Sequence, residues 1–534
     1  YKMLGYDFRA TASWNHVFND IHITNFFAGT EINSTDRSKN YYQGWGMQYS
    51  MGEIPYYVYE FFKKGIEDGN NYYSLSQTRS RSAAFFANAT YSYKGRYTVN
   101  GTARYEGTNR MGKSRSARWL PTWNVSGAWN AHEEKFFSNL TSVLSHFTLK
   151  ASYSLTADRG PADVTNSQAI ITSYSPYRPF TSIQESGLYI KELENSELTY
   201  EKKHELNIGA DMGFLNNRIN LAVDWYKRNN YDLIGIVNTQ GAGGQILKYA
   251  NIASMKSHGI EFTLSTKNIK TKDFNWNTDF IFSNAKNEVT DLKQNANVME
   301  LISGNGFAKQ GYPVRGLFSI PFVGLDKDGI PVIINEKGEA TSTDINFQER
   351  QNTGFLKYEG PTDPTITGSL GNMFSYKGFR LNLFITYSFG NVIRLNPVFK
   401  AYYSDLTAMT REFKNRWTLP GDEAKTNVPA ILSKRMYDSN EDLKYAYNAY
   451  NYSTERIAKG DFIRLKEISL AYDFPKAWIN PLKLTDLSLK VQATNLFLIY
   501  ADDKLNGQDP EFFNAGGVAS PVPRQFTITL RLGL

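Results

Sequence analysis

The sequence lacks several features that mark common classes of protein. Its 534 residues include no cysteine, which excludes a disulfide framework, a thiolate metal site and a cysteine nucleophile. It has no run of about 18 apolar residues, so no membrane-spanning helix is expected. The chain opens on residues 1–5 (YKMLG) without a charged and then apolar leader, and we therefore expect a longer gene product.

A strong charge of one sign is also missing. The 59 basic and 52 acidic residues give a net charge of only +7, and the two signs are mixed along the chain. Because nucleic-acid binding needs a clustered basic face, no nucleic-acid partner is expected.

Motifs for catalysis and metal binding are absent as well. No HExxH pair or other metal-ligand spacing occurs among the six histidines, which are His16, His22, His132, His146, His204 and His258. No motif places an acid–base pair or a nucleophile. We therefore predict no enzyme activity, no catalytic, cofactor-binding or metal residues and no cofactor, while the substrate-binding residues stay unknown.

Two loop segments resemble ligand-binding motifs only in part. Asp326–Gly329 (DKDG) begins like a calcium loop but lacks the spaced acidic ligands and the closing Glu, so a β-turn is expected. Residues 241–244 (GAGG) lack the Lys-Ser/Thr of a phosphate-binding loop and are expected to form a loop tip.

Aromatic residues, in contrast, are abundant. The chain has 35 Tyr, 34 Phe and 9 Trp, and Tyr and Trp suit the boundary between lipid and water because each joins an apolar ring to a polar group. Three aromatic clusters lie in predicted loops, at residues 56–62, 402–403 and 445–452. Such clusters contact a substrate or a lid protein, or else form the core of a folded loop, and the sequence leaves both alternatives open.

The main signal is an alternation of apolar and polar residues with period two. In residues 96–105 (RYTVNGTARY), Tyr97, Val99 and Tyr105 share one face, and Asn100 and Arg104 share the other. The pattern predicts fifteen strands, at 5–14, 20–29, 81–93, 96–105, 122–129, 146–155, 203–214, 218–228, 257–267, 274–284, 366–376, 379–389, 461–474, 485–495 and 524–534.

These segments have the length and the connections of strands that cross a bilayer. Most are roughly 9–11 residues long, as a tilted membrane strand requires, whereas strands of water-soluble proteins are usually nearer 5–6 residues. Short turns are predicted at 94–95, 216–217 and 377–378, and long connections at 30–80, 156–202, 285–365 and 390–460. Long loops on the outer side and short turns on the periplasmic side are typical of outer-membrane barrels.

We therefore predict an all-β fold, a transmembrane antiparallel β-barrel. Closure of the sheet is required because hydrocarbon offers the backbone no hydrogen-bond partner. The predicted lipid-facing side chains are Phe8, Trp14, Val99, Leu149, Ile219, Leu221, Val223 and Trp225. The predicted inward-facing side chains are Arg9, Arg104, Lys150, Asn220, Asp224 and Arg531. A water-soluble β-protein is the alternative, but it would have to cover fifteen apolar faces, and no segment with a helical period is found to do so.

The strand count points to further strands before residue 1. Barrels of this kind end on a strand that descends to the periplasm, and counting back from 524–534 makes 5–14 a descending strand as well. Bacterial single-chain barrels normally have an even number of strands, whereas fifteen is odd.

Several sequence motifs resemble those of the SusC/RagA family of TonB-dependent transporters, and they occur in the family's order along the chain. They are the hairpin at 91–97 with 104–107, the strand at 200–209, Asn251 with 259–261, Arg416-Trp417 with 420–422 and 428–429, the strand at 461–472 (DFIRLKEISLAY), and the ending formed by 495–497 (NLF), 509–511 (DPE) and 523–526 (PRQF).

The resemblance implies the carboxy-terminal barrel portion, residues 1–534, of a 22-stranded transporter in the bacterial outer membrane. The plug, the TonB-contact segment and the amino-terminal strands would lie outside this chain. The implied activity is TonB-coupled import of an oligosaccharide or peptide, with a SusD-like surface lipoprotein as a lid and a possible dimer of such pairs. The alternatives are a passive porin or secretion barrel and a soluble or surface-attached glycan-binding β-protein.

Overall fold

A computed structural model gives the fold of most of the chain. The residues that it describes are 1–68, 70, 72–160, 169–174, 185–239, 241, 247–398, 410–513 and 523–533. None of the described helices is long and apolar enough to cross a membrane. The chain divides into two compact units, which are residues 1–128, 152–205 and 230–253 in the first and residues 129–151, 206–229 and 254–534 in the second.

Fifteen long strands form one sheet in which each strand is hydrogen-bonded to its neighbours in chain order. They are β1 (Lys2–Phe18), β2 (His22–Tyr42), β3 (Tyr73–Tyr93), β4 (Tyr97–Thr108), β5 (Trp119–Asn130), β6 (Leu144–Asp158), β7 (Glu201–Phe214), β8 (Ile219–Asn238), β9 (Leu247–Lys270), β10 (Phe274–Leu292), β11 (Ile366–Tyr376), β12 (Phe379–Phe389), β13 (Phe462–Asp473), β14 (Asp486–Ala501) and β15 (Gln525–Gly533). Each of the fifteen predicted strands is present.

The predicted tight turns are confirmed. The turn between β11 and β12 consists of Lys377 and Gly378, whose φ angles are 44° and 90°. Lys94 and Gly95, between β3 and β4, have φ angles of 54° and 69°. Positive φ at both central residues matches the right-handed twist of the flanking strands, which explains why these short turns join antiparallel neighbours.

Several strands are longer than the sequence pattern predicts. Residues 30–42 and 73–80, predicted as loop, are paired in β2 and β3, where Tyr42 faces Tyr73. The predicted connection 30–80 is therefore only 43–72. The predicted connection 285–365 likewise begins at 293, because β10 continues to Leu292. Both extensions carry polar residues on both faces, so the alternation fades although backbone pairing continues.

The two faces of the sheet differ as predicted. Phe8, Trp14 and Val99 are exposed on one face in the first unit, and Leu149 and Trp225 are exposed in the second. On the opposite face of β3 and β4 the polar side chains bond to one another: Asn88 Nδ2 donates to Thr102 Oγ1 at 2.7 Å, and Asn100 Nδ2 to Thr90 Oγ1 at 2.6 Å. An exposed apolar face backed by a bonded polar face is the arrangement of a membrane strand.

Short helices lie in the connections, where the sequence pattern predicts none. They are α1 (Tyr59–Glu67), α2 (Arg115–Arg118), α3 (Val298–Ile302), α4 (Lys434–Ser439), α5 (Leu443–Asn451) and α6 (Lys476–Ile479). Short strand pairs lie there too, at Met47–Gln48 with Ile54–Pro55, Ile170–Tyr174 with Gly187–Glu192, Gly316–Ser319 with Lys357–Pro361, Phe322–Leu325 with Pro331–Ile334 and Ala340–Thr341, and Val392–Arg394 with Ile457–Lys459.

Two long connections of the second unit share a buried core. The connection after β10 contributes Val298, Ile302 and Phe318, and α5 of the connection after β12 contributes Ala449 to the same cluster. Backbone bonds join them as well, because the Ile320 amide donates to the Tyr452 carbonyl at 3.1 Å. We call residues 293–361 and 390–461, where described, the paired connections.

Candidate functional site

The polar face of the first unit carries a chain of opposite charges. Arg104 lies 3.4 Å from Glu31 and 2.7 Å from Glu106, and Glu106 also pairs with Arg159. Arg9 lies over the ring of Phe86, 5.3 Å from its centroid. Arg9 and Arg104, both predicted to point inward, therefore lie on the polar face.

A similar pairing stands on the polar face of the second unit. Lys150 Nζ lies 3.1 Å from Asp211 and 3.7 Å from Asp224, so two carboxylates share one cation. Lys150 and Asp224 were both predicted to point inward. These charges hold neighbouring strands together, and because they are already paired, they leave little charge to attract a ligand.

The candidate site is a cavity of about 710 Å³ on the second unit, at the ends of β11, β12 and β13. Its lining includes hydroxyl and amide side chains from these strands, from the paired connections and from the segment between 361 and β11, namely Asn305, Thr362, Thr367, Thr386, Ser388 and Asn391. The volume lies in the range of about 300–1,000 Å³ that is usual for ligand sites. The lining offers many donors and acceptors to a polar ligand.

The charges around this cavity are nearly balanced. Arg315 pairs with Asp363 at 2.6 Å, while Lys466 and Glu511 add one charge of each sign to the lining. A lining of this kind does not select a strongly charged ligand. It suits an uncharged or zwitterionic polar molecule with several hydrogen-bonding groups.

A buried ion pair lies next to the cavity wall. Arg464 of β13 is 4 % exposed, and its Nη2 lies 2.5 and 2.6 Å from the two carboxylate oxygens of Asp509. Glu511, 3.3 Å from Arg464, is part of the cavity lining. The ion pair therefore joins two of the sequence motifs on which the family resemblance depends, the strand at 461–472 and the segment at 509–511.

A second buried arginine fastens the paired connections to each other. Arg394 donates to the carbonyl oxygens of Ser453 at 2.8 Å, Phe318 at 2.6 Å and Ile302 at 3.3 Å. Burial lowers the pKa of Arg394 to about 9, which still leaves the guanidinium charged at neutral pH. Its neighbour Ile393 lines the cavity, so this arginine fixes the part of the chain that forms the cavity wall.

The aromatic clusters predicted in loops have different environments. Tyr59, the first residue of α1, and Tyr57, two positions before it, are exposed. Tyr447 and Tyr450 of α5 are buried, and desolvation raises the pKa of both hydroxyls. Of the two alternatives for residues 445–452, the core of a folded loop is therefore the one observed for these two side chains. The cluster at 402–403 lies outside the described residues.

Of the two motif-like loop segments, the one at Asp326 forms the predicted turn. Asp326 closes a turn, because its carboxylate accepts from the amides of Asp328 and Ile330, both at 2.9 Å. Of residues 241–244, only Gly241 is described, and its φ is 77°. Within the described ranges no cluster of three or more His, Asp or Glu side chains could hold a metal ion.

Arg394 and the cavity lining are the features that sequence reasoning missed. The partners of Arg394 are backbone carbonyls, which no residue pattern marks. Arg464 lies in one of the family's sequence motifs, but nothing in the sequence indicates that Asp509, 45 positions later, is its partner.

Comparison with known proteins agrees with this fold. A family model described as TonB dependent receptor-like, beta-barrel matches residues 2–496. TonB-dependent receptor P39 of Formosa agariphila is 26 % identical over 98 % of this chain and 52 % of its own length. TonB-dependent receptor SusC of Bacteroides thetaiotaomicron is 26 % identical over 89 % of this chain and 47 % of its own length. This chain therefore spans about half the length of these curated relatives.

A solved structure shows the same fold. The structure of the RagAB peptide transporter superposes with a TM-score of 0.78 at 21 % identity, covering 99 % of this chain and 55 % of that chain. The apolar face of the sheet is therefore the lipid-facing side of a barrel wall, and the polar face is the luminal side. The family consists of receptors and transporters rather than enzymes. The chain belongs to the TonB-dependent receptor β-barrel family, is of the SusC/RagA type, and is a transmembrane β-barrel protein of the bacterial outer membrane.

Proposed function

We propose that this barrel takes part in the active import of a large polar nutrient, an oligosaccharide or a peptide. The observation that carries the proposal is the cavity of about 710 Å³ on the second unit, whose lining includes hydroxyl and amide groups of the luminal face and residues of the paired connections. A nearly neutral lining with many hydrogen-bonding groups fits either class of nutrient. The solved RagAB structure, which is titled a peptide transporter, supports the peptide alternative.

The energy-coupling parts belong to the same proposal. The relatives are about twice as long as this chain, which supports the idea that residues 1–534 are the barrel portion of a 22-stranded transporter. A plug, a TonB-contact segment and further strands would then lie elsewhere in the protein. TonB would move the plug, and the ligand would pass from the cavity through the opened lumen.

The partner of the outer side would be a SusD-like surface lipoprotein. Support comes from the similarity to SusC and to RagAB. The exposed aromatic residues Tyr57 and Tyr59 of the connection after β2 offer an apolar surface for such a lid. A dimer of transporter and lipoprotein pairs is part of the same proposal.

Uptake by living cells tests the function. The full-length gene is returned to a strain that lacks it, and uptake of labelled oligosaccharides and peptides is measured with and without TonB. Import that requires TonB is the expected result, whereas uptake that continues without TonB would identify a passive porin or secretion barrel.

A pair of variants links uptake to the cavity. Thr386→Trp fills the cavity from the luminal face, and Leu383→Trp places the same side chain on the lipid face of β12. We expect Thr386→Trp to lower uptake at an unchanged amount of protein in the membrane and Leu383→Trp to leave uptake unchanged. Equal uptake by both variants would show that the ligand does not use this cavity.

A further inference from the structure

The lipid-facing side of β1–β3 carries a group of cations toward its outer end. Along β3 this face runs from Tyr91 through small residues to Phe85, then reaches Arg81 and Arg79, and continues to Leu75. On β1 the same face carries Lys2. The side chains change from apolar to basic within a few positions on neighbouring strands.

The height of these cations can be estimated from the strand length. Asp36, which pairs with Arg79 across β2 and β3, stands 14 positions after His22, where β2 leaves its periplasmic turn. At about 3.3 Å per residue and a tilt of about 40°, this places it roughly 35 Å above the turn. The apolar band of such barrels is only about 25 Å tall. The cations therefore stand at the level of the outer lipid headgroups.

A shallow cavity of about 540 Å³ lies at the same place. Its lining includes hydroxyl, amide and charged side chains of three strands. We define the outer cation patch as Lys2, Asp36, Ser38, Gln77, Arg79 and Arg81. Three positive charges and one negative charge give the patch a net charge of about +2 at neutral pH.

The arginines of this patch are available to a ligand. The Arg79 side chain is 68 % exposed, and its ion pair within the described part of the chain, with Asp36, is 3.2 Å long. Arg81 is exposed, and of its groups only the backbone amide and carbonyl bond to other described residues, Thr108 and Asn109. A planar guanidinium matches the oxygens of a phosphate in two parallel hydrogen bonds, which makes arginine well suited to phosphate recognition.

We propose that the outer cation patch binds the phosphorylated headgroup of a glycolipid in the outer leaflet. Arg79 and Arg81 contact the phosphate, Ser38 and Gln77 bond to the sugar, and the exposed Phe85 and Ile32 contact the acyl chains below. Cations on an ordinary solvated surface have no reason to stand above an exposed apolar surface. A binding site for an amphiphile with an anionic headgroup requires both the cations and the apolar surface. This site faces away from the lumen and is independent of the import proposed above.

The test uses the full-length protein, purified in detergent, with lipid bound to it counted by native mass spectrometry. The probes are a bis-phosphorylated lipid A, the same lipid without phosphate, and inorganic phosphate alone. The variant is Arg79→Gln with Arg81→Gln. The control is Arg9→Gln, because Arg9 lies on the polar, luminal face of β1, over the ring of Phe86, and does not line this cavity. Heat-dependent mobility on a gel establishes that each variant is assembled.

The proposal predicts that the wild-type protein and Arg9→Gln retain the phosphorylated lipid and that the double variant loses about tenfold or more in affinity. Equal retention of the lipid without phosphate would overturn the proposal. An equal loss in Arg9→Gln would also overturn it, since the effect would then not belong to this face. Displacement of the lipid by inorganic phosphate at the same concentration would show a simple anion site and overturn the assignment to lipid.

Discussion

Arg464 and Asp509 form a bifurcated ion pair, in which one guanidinium nitrogen, Nη2, lies 2.5 and 2.6 Å from the two carboxylate oxygens. The Arg464 side chain is 5 % exposed and that of Asp509 10 %, so both charges have left water. The pair attaches the segment after β14 to the luminal face of β13. Because both side chains are buried, each charge is neutralised by the other rather than by water.

Removing one partner of this pair should be costly. We expect Asp509→Asn to lower the free energy of unfolding by about 3–5 kcal/mol, because the buried Arg464 charge then has a weaker partner. The measurement is urea-induced unfolding of the full-length protein in lipid vesicles. Asp473→Asn is the matched control, because its ion pair with Arg380 is half-exposed and should contribute less than about 1 kcal/mol. Equal losses in the two variants would contradict this account of burial.

Loss of the Arg394 guanidinium should open the paired connections. Arg394→Met leaves three buried carbonyl groups without their donor, at a cost of about 1–3 kcal/mol each. We expect limited proteolysis within 390–461 to become at least about tenfold faster, since cleavage of a rapidly opening segment follows its opening free energy. Arg435→Met, at an exposed position of α4, is the control and should leave the rate unchanged. An unchanged rate in Arg394→Met would mean that the shared core alone holds the connections together.

The two faces of β4 should respond differently to a new charge. Val99 is 53 % exposed on the lipid-facing side, whereas Asn100 bonds to Thr90 on the luminal side. A charge on the lipid face near mid-bilayer costs about 2–4 kcal/mol. Val99→Arg should therefore impair assembly far more than Asn100→Arg, as judged by the folded fraction on a heat-dependent mobility gel. Equal assembly of both variants would show that Val99 does not face lipid.

A pH effect is expected in the turn that begins at Trp417. Bonds from the Leu419 amide, the Thr418 hydroxyl and Lys425 lower the pKa of Asp422 to about 2, below its ordinary value of about 3.9. A depressed carboxyl pKa stabilises the fold above the ordinary value, and this stabilisation is lost as pH falls toward 2. The protection factors of residues 417–426 against hydrogen exchange, each taken relative to the intrinsic rate at the same pH, should therefore fall between about pH 4 and pH 2. Asp422→Asn should remove that pH dependence, and an unchanged profile in the variant would contradict it.

The strands of the barrel could be predicted because the membrane imposes a two-residue period on them. The period ends where the lipid ends, so the extension of β2 to Tyr42 was missed. Helix α5 carried a readable signal that the aromatic residues obscured: Leu443, Ala446, Tyr447 and Tyr450 have helical spacing, and all four are buried. Arg394 could not have been predicted, since carbonyl acceptors have no residue identity.

The core that the paired connections share has a consequence for engineering ligand preference. Because Ala449 of one connection packs with Val298 and Ile302 of the other, neither connection is a modular insert. Grafting residues 293–361 from a relative while keeping the resident 390–461 would place two unmatched halves against each other. The smallest segment that can be exchanged on this side of the barrel is thus the two connections together.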